Sequence, residues 1–380
     1  MAQSIETLTF VGDSPGATYA VPIYRFGTPG ARPKAYLQAA LHADEQPGMM
    51  ALIHLIPILT ALDAQGKING EIIVVPAVNP FGLSQVIHHS HLGRYHGPLG
   101  QNYNRDWPNL AAGLAQELAD VLTDKAQANV ALVRAALAAR IDNLPADRAF
   151  DAWRKEILRL AYDADLVLDL HCDEPSLVHI FIMPQLIPDW HDLSAWIGAA
   201  ATLTAEDSGG GSFDEVFPTP WVQLQRAFPD RPIPLATGAA TLEYRGRDQV
   251  SDAQGASDAQ NLLGFLSGRG LIEGHDQKQP DLRTEAEASP LEALSYIRMT
   301  RPGLISYDVQ IGDRVVAGQQ VGTLTALDTV PPQRVPIQAP IAGLILSTNA
   351  EKYVRPGDSI TKIVGTEVLE NRKGGYLLED

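Results

Sequence analysis

The sequence has one cysteine, Cys172, so no disulfide can form within the chain. It also lacks an uninterrupted apolar run of about 18 residues, the length at which a membrane-spanning helix is predicted. Residues 1–6 lack the basic stretch and apolar core of a secretory signal. These absences predict a soluble, cytoplasmic protein with no membrane partner, in which Cys172 is a small buried side chain and not a metal ligand.

Positive charge is also scarce. The chain has 29 Lys and Arg residues against 45 Asp and Glu residues, which gives a formal net charge of −16. Nucleic acids and anionic membranes bind basic surfaces, so this balance argues against nonspecific binding to either. The length of 380 residues and the apolar content of 45% suffice for more than one buried core, and we expect two domains.

Strand-like apolar runs alternate with helical stretches in the first part of the chain. Residues 35–41, 71–78 and 167–170 have the pattern of buried strands, and residues 49–64 have that of a helix. Residues 110–162 carry apolar side chains at helical spacing, with a break around 143–145. This alternation predicts an α/β fold with helices packed on a sheet.

The pattern changes after about residue 290 to short strand-like segments broken by Gly, Pro and Asp. These segments resemble half of a biotinyl- or lipoyl-type β-sandwich, but the turn at 339–342 lacks the lysine that would be modified. We therefore predict one domain over residues 1–288. Residues 289–380 would form a second, all-β, barrel-sandwich-like domain.

Two polar clusters each follow a predicted strand. His42 and Glu45 are three residues apart, and His171 lies between Asp169 and Asp173. Two imidazoles and one carboxylate are the three-ligand set of a catalytic zinc, which keeps a fourth position open. An aspartate next to a ligand histidine is expected to orient its ring. Alternatively, His42 and Glu45 only cap the helix that follows them.

The runs 93–95 and 101–108 are rich in Arg, Asn and Gly, a composition that suits anion binding. Arginine offers a planar donor fork to a carboxylate, and asparagine adds a neutral donor. The alternative is a solvated loop with one surface salt bridge. Neighbouring histidines in an irregular run more often lie at a pocket rim or in solvent, so three are left unassigned: His88, His89 and His91.

Glu243 lies toward the end of a strand-like run that begins near Ala239. A buried glutamate there could serve as a general base if it came within hydrogen-bond reach, about 2.6 to 3.2 Å, of the proton that it removes. The loop 208–215 is rich in Gly and Ser, and it either covers the pocket or is a plain surface loop.

Five ordered pieces of the sequence resemble the succinylglutamate desuccinylase and aspartoacylase family, a branch of the zinc carboxypeptidase superfamily. They are His42-x-x-Glu45, Gly93-Arg94-Tyr95, Asn102-Tyr103-Asn104-Arg105, Asp169-Leu170-His171-Cys172-Asp173 and Thr241-Leu242-Glu243-Tyr244-Arg245-Gly246. The resemblance covers most of the chain. It implies a zinc-carboxypeptidase-like mixed sheet flanked by helices. It also implies that residues 1–288 form the zinc-hydrolase catalytic domain and that residues 289–380 cap its active site.

The resemblance also implies roles for individual residues. One zinc ion per chain would be bound by His42, Glu45 and His171. The substrate would be bound by Arg94, Asn104 and Arg105, of which the last two hold its carboxylate. Catalysis would rest on Glu243 as the general base and on Arg94, which would polarise the scissile carbonyl. The expected reaction is deacylation of a small N-acyl amino acid, such as an N-acetyl- or N-succinyl-amino acid.

Other functions stay open at this point. A zinc metallocarboxypeptidase acting on peptide C-termini would need an open groove, whereas a capped pocket favours the deacylase. Digestive carboxypeptidases carry a substrate-contacting tyrosine, for which Tyr95, Tyr244 and Tyr307 are candidates. Intact ligand and base positions argue against a binding module without activity. An exposed edge of the β-domain leads us to expect a homo-oligomer.

Overall fold

The computed structural model describes residues 4–274, 280, 288–373 and 376–378. The helices are α1 (Pro47–Ala64), α2 (Pro80–Leu83), α3 (Leu114–Leu118), α4 (Ala126–Asp142), α5 (Ala149–Ala161), α6 (Ile187–Trp190), α7 (Leu193–Ile197), α8 (Thr219–Ala227) and α9 (Asp252–Gly268). The strands are β1 (Ser4–Val11), β2 (Thr18–Gly27), β3 (Lys34–Ala39), β4 (Glu71–Val75), β5 (Val86–Ile87), β6 (Ser90–His91), β7 (Tyr95–His96), β8 (Gln101–Asn102), β9 (Leu166–Asp173), β10 (His179–Ile182), β11 (Ala201–Thr204), β12 (Gly238–Gly246), β13 (Ala288–Pro290), β14 (Leu294–Arg298), β15 (Gly303–Tyr307), β16 (Arg314–Val315), β17 (Gln320–Ala326), β18 (Gln333–Gln338), β19 (Gly343–Thr348), β20 (Tyr353–Val354) and β21 (Ser359–Val364).

A large mixed sheet has the strand order β1-β2-β4-β3-β9-β12-β10-β11-β13. The central strands β4, β3, β9 and β12 run parallel to one another. Both β3 and β4 are buried along their whole length, as expected of strands covered on both faces. The predicted fold class, a mixed sheet flanked by helices, is confirmed.

Helices cover both faces of this sheet. Apolar side chains of α3, α4 and α5 form one core with the sheet, and those of α1, α7 and α9 form a second core on the opposite face. The break that the sequence predicts around residues 143–145 lies between α4 and α5. The helical region between the two polar clusters therefore packs on the sheet, as predicted.

Helix α1 passes a length and composition test for a membrane-spanning helix, with a mean hydropathy of 1.5. Its buried residues include Ala51, Leu52, Leu55 and Leu59, which pack in the core beneath the sheet. At its start, a Cβ on Gly48 would lie 2.7 Å from the Cβ of Leu170. The missing side chain lets the beginning of α1 pack directly against β9, next to His171.

The C-terminal part of the chain forms two antiparallel sheets with the strand orders β14-β21-β19-β16 and β18-β17-β15-β20. Their facing side chains share a core that contains Ile305, Leu324 and Ile363. The predicted C-terminal β-structure is confirmed. The boundary at 288/289 stays a prediction, and it falls within β13, which pairs with β11 of the large sheet.

Candidate metal centre

The site lies where β3, β9 and β12 run side by side and parallel. In the sheet, β4 lies on one side of β3 and β9 lies on the other, so the strand order reverses direction at β3. Ligand sites of α/β sheets form where the order reverses, beyond the carboxyl ends of the strands. His42 follows β3. His171 and Glu243 face each other in the β9–β12 register.

One expectation about these strands was wrong. The sequence placed His171 directly after a strand, because the apolar run stops at Leu170. In the structure β9 continues to Asp173, which pairs with Gly246. His171 and Glu243 are therefore interior strand residues, and both point polar groups into the pocket described below.

The carboxylate of Glu45 lies between the two histidine rings. Nδ1 of His42 is 2.9 Å from its Oε1, and Nδ1 of His171 is 2.7 Å from its Oε2. The ring centroids are 5.0 Å apart, with an interplanar angle of 78°. Candidate ligand atoms of the three residues all lie within 4.8 Å of one another, and all three residues are buried.

A buried acceptor holds the outer nitrogen of each ring. Nε2 of His42 is 2.8 Å from Oδ1 of Asn102, and that oxygen also accepts the backbone N–H of Asn104 at 2.9 Å. Nε2 of His171 is 2.9 Å from Oδ2 of Asp169. Because both partners are acceptors, each Nε2 can donate its proton to its partner, which leaves both Nδ1 atoms directed at Glu45.

The three residues fit a zinc ion. Once His171 has released its Nδ1 proton, the lone pairs of both Nδ1 atoms and of the two Glu45 oxygens can all be directed at one cation. A set of two imidazoles and a carboxylate matches the ligand chemistry of catalytic zinc. The alternative in which His42 and Glu45 cap α1 is not supported, because Gln46 occupies the N-cap position of α1 and no side chain makes a cap bond at this helix start.

Electrostatics at the site also bear on metal loading. Burial alone would raise the pKa of Glu45, but His42 and His171 hold it well below its usual range. Burial lowers the pKa of His42, and Arg94 lowers it further. Burial acts in the same direction on His171, but Asp169 and Glu45 outweigh it and raise its pKa well above the usual value. A metal ion must therefore displace a proton from His171, so binding strengthens as pH rises.

All seven predicted site residues line one pocket, whose volume is about 870 Å³ including its open mouth. They are His42, Glu45, Arg94, Asn104, Arg105, His171 and Glu243. Oε2 of Glu243 is buried and has no hydrogen-bond partner among the described residues. Burial and the nearby Glu45 carboxylate raise the pKa of Glu243 to about 8. A carboxyl group that both gains and loses a proton near neutral pH suits general acid–base chemistry.

Arg94 lies against the ligand cluster. Its Nη1 is 3.3 Å from Oε1 of Glu45 and 3.3 Å from Nδ1 of His42. The preceding residue explains this approach, because a Cβ on Gly93 would lie 2.1 Å from the backbone nitrogen of Asp44. A larger residue than glycine would push the Arg94 loop away from the His42–Glu45 turn.

Asn104 and Arg105 are both buried at the pocket, and Nδ2 of Asn104 lies 3.5 Å from Nε2 of His171. Oδ1 of Asn104 accepts the backbone N–H of Phe213 at 2.8 Å, and Nη1 of Arg105 donates to the Asn104 carbonyl at 2.8 Å. The loop 208–215 is therefore not a plain surface loop. The backbone N–H groups of Asp106 and Trp107 donate to it at 3.0 and 2.9 Å, and it forms one wall of the pocket.

Several contacts were missed by the sequence analysis. Asp173 does not contact the ring of His171; both of its oxygens lie 2.7 Å from Nζ of Lys362, on β21. Burial would raise the pKa of Asp173, but Lys362 outweighs it and lowers that pKa. Tyr296, on β14, also lines the pocket. Lys362 and Tyr296 come from the C-terminal β-structure, and no local motif marks them.

None of the three tyrosines proposed from the sequence is among the described residues that line the pocket. Tyr244 is fully buried in the core, and Tyr307 donates to the Ile360 carbonyl at 2.7 Å within the C-terminal sheets. Tyr95 is 40% exposed. The unassigned His88 and His89 are exposed at the turn between β5 and β6. Cys172 is buried, as predicted, and its backbone N–H donates to Glu45 at 3.1 Å.

The carboxylate of Glu215, which also lines the pocket, allows a test of how strongly the pocket buries charge. Burial and the Asp214 charge raise the pKa of Glu215 from 4.5 to about 7, and its Oε1 accepts the backbone N–H of Ser208 at 2.8 Å. Between these two pH values the folded protein keeps a proton that the unfolded chain has released. Stability is therefore lost as pH rises through this window.

Glu215→Gln keeps the shape and the Ser208 contact but removes the charge. We expect it to raise the free energy of unfolding by about 2 kcal/mol at pH 8 and by clearly less at pH 5. Thermal and urea unfolding at both pH values measure this, with Glu351→Gln at an exposed position as the control. An equal gain at both pH values would contradict the assigned environment.

One segment of the chain matches a known protein family. Residues 31–142 match the model of the succinylglutamate desuccinylase/aspartoacylase catalytic domain. The predicted family resemblance is confirmed. Of the five sequence pieces, three lie within this segment and two lie beyond it, at 169–173 and 241–246. The structure brings residues from all five to one pocket.

Solved structures of succinylglutamate desuccinylase/aspartoacylase family proteins share the fold. One from Shewanella amazonensis has a TM-score of 0.82 at 24% identity and covers 95% of this chain and 98% of its own. Another, from Shewanella frigidimarina, has a TM-score of 0.83 at 24% identity, covering 95% and 97%. The product-bound ectoine utilization protein EutE (DoeB) from Ruegeria pomeroyi has a TM-score of 0.66 at 18% identity, covering 96% and 95%. No curated protein matches the chain.

Proposed function

We propose that the chain is a zinc-dependent amidohydrolase that cleaves a small N-acyl amino acid, such as an N-acetyl- or N-succinyl-amino acid, to the amino acid and a carboxylic acid. One arrangement carries this proposal: Nδ1 of His42 and Nδ1 of His171 meet the Glu45 carboxylate in a pocket that also holds a glutamate and two arginines. Zinc, when bound there, supplies a Lewis acid and lowers the pKa of a water molecule to about 7.

The chain's own residues would bind the substrate and move the proton. Arg105 and Asn104 offer a charged and a neutral donor to the free carboxylate. Arg94, 3.3 Å from Glu45, can donate to the scissile carbonyl oxygen, where negative charge develops in the transition state. Glu243 can accept at Oε2 the proton that the attacking water loses, and can then donate it to the leaving nitrogen.

The C-terminal residues support a small substrate. Leu291, Tyr296, Lys362 and Leu378 line the pocket alongside the predicted ligands. We propose that residues 289–380 form the capping domain and leave room for a single acylated amino acid. A polypeptide C-terminus, the substrate of the alternative metallocarboxypeptidase, would need an open groove. We also propose a cytoplasmic location for the enzyme.

A substrate panel separates the two activities. Purified protein is incubated with N-acetyl- and N-succinyl-amino acids and, separately, with peptides that have a blocked N-terminus and a free C-terminus. Release of free amino acid is followed by chromatography. We expect kcat/KM for at least one N-acyl amino acid to exceed that for every peptide by about two orders of magnitude. Discrimination of this size is typical when only one class of substrate can make a given contact in the pocket. Equal or faster peptide cleavage would select the carboxypeptidase.

A further inference from the structure

The C-terminal segment 376–378 reaches the proposed carboxylate-binding residue. The hydroxyl of Tyr376 accepts a hydrogen bond from Nε of Arg105 at 2.6 Å, across 271 positions of sequence. The guanidinium also lies 5.8 Å from the centroid of the Tyr376 ring. Arg105 is 7% exposed, whereas Tyr376 is 47% exposed. A surface tyrosine therefore fixes a buried arginine.

The segment itself is anchored next to the pocket. The backbone N–H of Leu377 donates to the carbonyl of Ser208 at 2.8 Å, and the hydroxyl of Tyr296 donates to the carbonyl of Leu377 at 3.3 Å. The Leu377 side chain is 4% exposed and packs in an apolar cluster with Leu203 and Leu346. Leu378 lines the pocket. These contacts hold Tyr376 in place over Arg105.

The loop 208–215 closes on the same pair from the other side. A Cβ on Gly210 would lie 2.8 Å from Cδ of Arg105 and 3.3 Å from the ring of Tyr376. Arg105 is thus confined between a loop that has no side chain at this position and the tyrosine. Together with the bond from Nη1 to the Asn104 carbonyl at 2.8 Å, these contacts set the plane of the guanidinium.

We propose that Tyr376 is a positioning residue that aims the Arg105 guanidinium at the substrate carboxylate, which makes the C-terminal segment a determinant of specificity for substrates with a free carboxylate. The proposal rests on the proposed function, in which Arg105 binds that carboxylate. A bidentate arginine–carboxylate pair depends on the orientation of the guanidinium plane. Tyr376 would therefore act on binding and leave proton transfer at Glu243 unchanged.

The test compares Tyr376→Phe with the wild type on an N-acyl amino acid and on its carboxamide, which lacks the charge that Arg105 recognises. We expect KM for the carboxylate substrate to rise about tenfold, because that ratio corresponds to the free energy of one hydrogen bond to a charged group. The value of kcat should stay within about twofold of the wild type. KM for the carboxamide should not change. Tyr353→Phe, at a 51% exposed position of the C-terminal sheets, is the matched control.

Gly210→Ala provides a second variant, which presses on Arg105 and on the edge of the Tyr376 ring but keeps the tyrosine hydroxyl. It should raise KM for the carboxylate substrate selectively, as Tyr376→Phe does. Unchanged KM values, or an equal rise with both substrates in both variants, would overturn the positioning role. Thermal unfolding midpoints identify a variant that has simply lost its fold.

Calorimetric binding of the same two compounds separates this inference from the proposed function. If the wild type hydrolyses nothing but binds the carboxylate about tenfold more tightly than Tyr376→Phe does, the positioning role stands and the proposed activity fails. If the wild type hydrolyses the N-acyl amino acid and binding is the same in both proteins, the activity stands and the positioning role fails. If the wild type itself does not bind the carboxylate compound, both the positioning role and the proposed activity fail.

Discussion

Replacing Glu243 by glutamine is expected to lower kcat by a factor of about 10² to 10⁴, the range of a lost general acid–base group. The amide has nearly the same shape but cannot take a proton from water. Oε2 of Glu243 is buried without a partner among the described residues, so no other contact has to break. KM should change little, because Glu243 is not assigned to substrate binding.

The measurement is steady-state hydrolysis of the best N-acyl amino acid, together with the metal content of both proteins. Glu243→Gln should retain as much metal as the wild type, which would show that the lower kcat comes from the missing base and not from missing metal. Glu351→Gln, at an exposed position, is the control. Wild-type kcat in Glu243→Gln would rule out Glu243 as the base, and Glu215 and Asp214 would then be the next pocket carboxylates to replace.

Replacing His171 by alanine is expected to reduce bound metal from near one ion per chain to a small fraction and to abolish activity. The substitution removes one of three ligands and leaves the buried carboxylates of Glu45 and Asp169 without their shared partner. Removing one partner of a buried charged network destabilises a protein by about 3 to 5 kcal/mol. A lower unfolding midpoint should therefore accompany the loss of metal.

Asp169→Asn separates metal binding from folding. Asp169 contacts Nε2 of His171 at 2.9 Å and would not touch the metal. Loss of such an outer partner typically weakens metal affinity about 10- to 100-fold. We therefore expect affinity to decrease in the order wild type, Asp169→Asn, His171→Ala, measured by competition with a chelator of known affinity. Exposed His191→Ala should behave as wild type. Equal affinity in His171→Ala and wild type would place the metal elsewhere.

The cluster of His42, Glu45 and His171 could be predicted because its signals are local. His42 and Glu45 share one turn, and the buried strands β3 and β9 were visible as apolar runs. Parallel neighbouring strands bring their carboxyl ends to one edge, so residues from separate runs converge. The error at His171 has a simple cause: hydrophobicity marks burial of the strand face, whereas backbone pairing continues past Leu170 into polar residues.

The walls of the site could not be predicted, because they depend on contacts between distant parts of the chain. Lys362 meets Asp173 across 189 positions, and Tyr376 meets Arg105 across 271. Neither residue lies in a motif, and each acquires its place only when the C-terminal sheets pack against the pocket. Asn102 is an intermediate case: it belongs to a run that the sequence analysis recognised, but its hydrogen bond to His42 becomes visible only in the folded chain.

The most direct test of the account measures zinc content and hydrolysis in the same samples: protein as purified, protein stripped with a chelator, and stripped protein with zinc restored. We predict near one zinc per chain, cleavage of an N-acyl amino acid, loss of that cleavage on stripping, and its recovery in proportion to the zinc restored. Full activity in the stripped protein, or protein that retains no divalent metal, would contradict the assignment of His42, Glu45 and His171 as the metal site of a hydrolase.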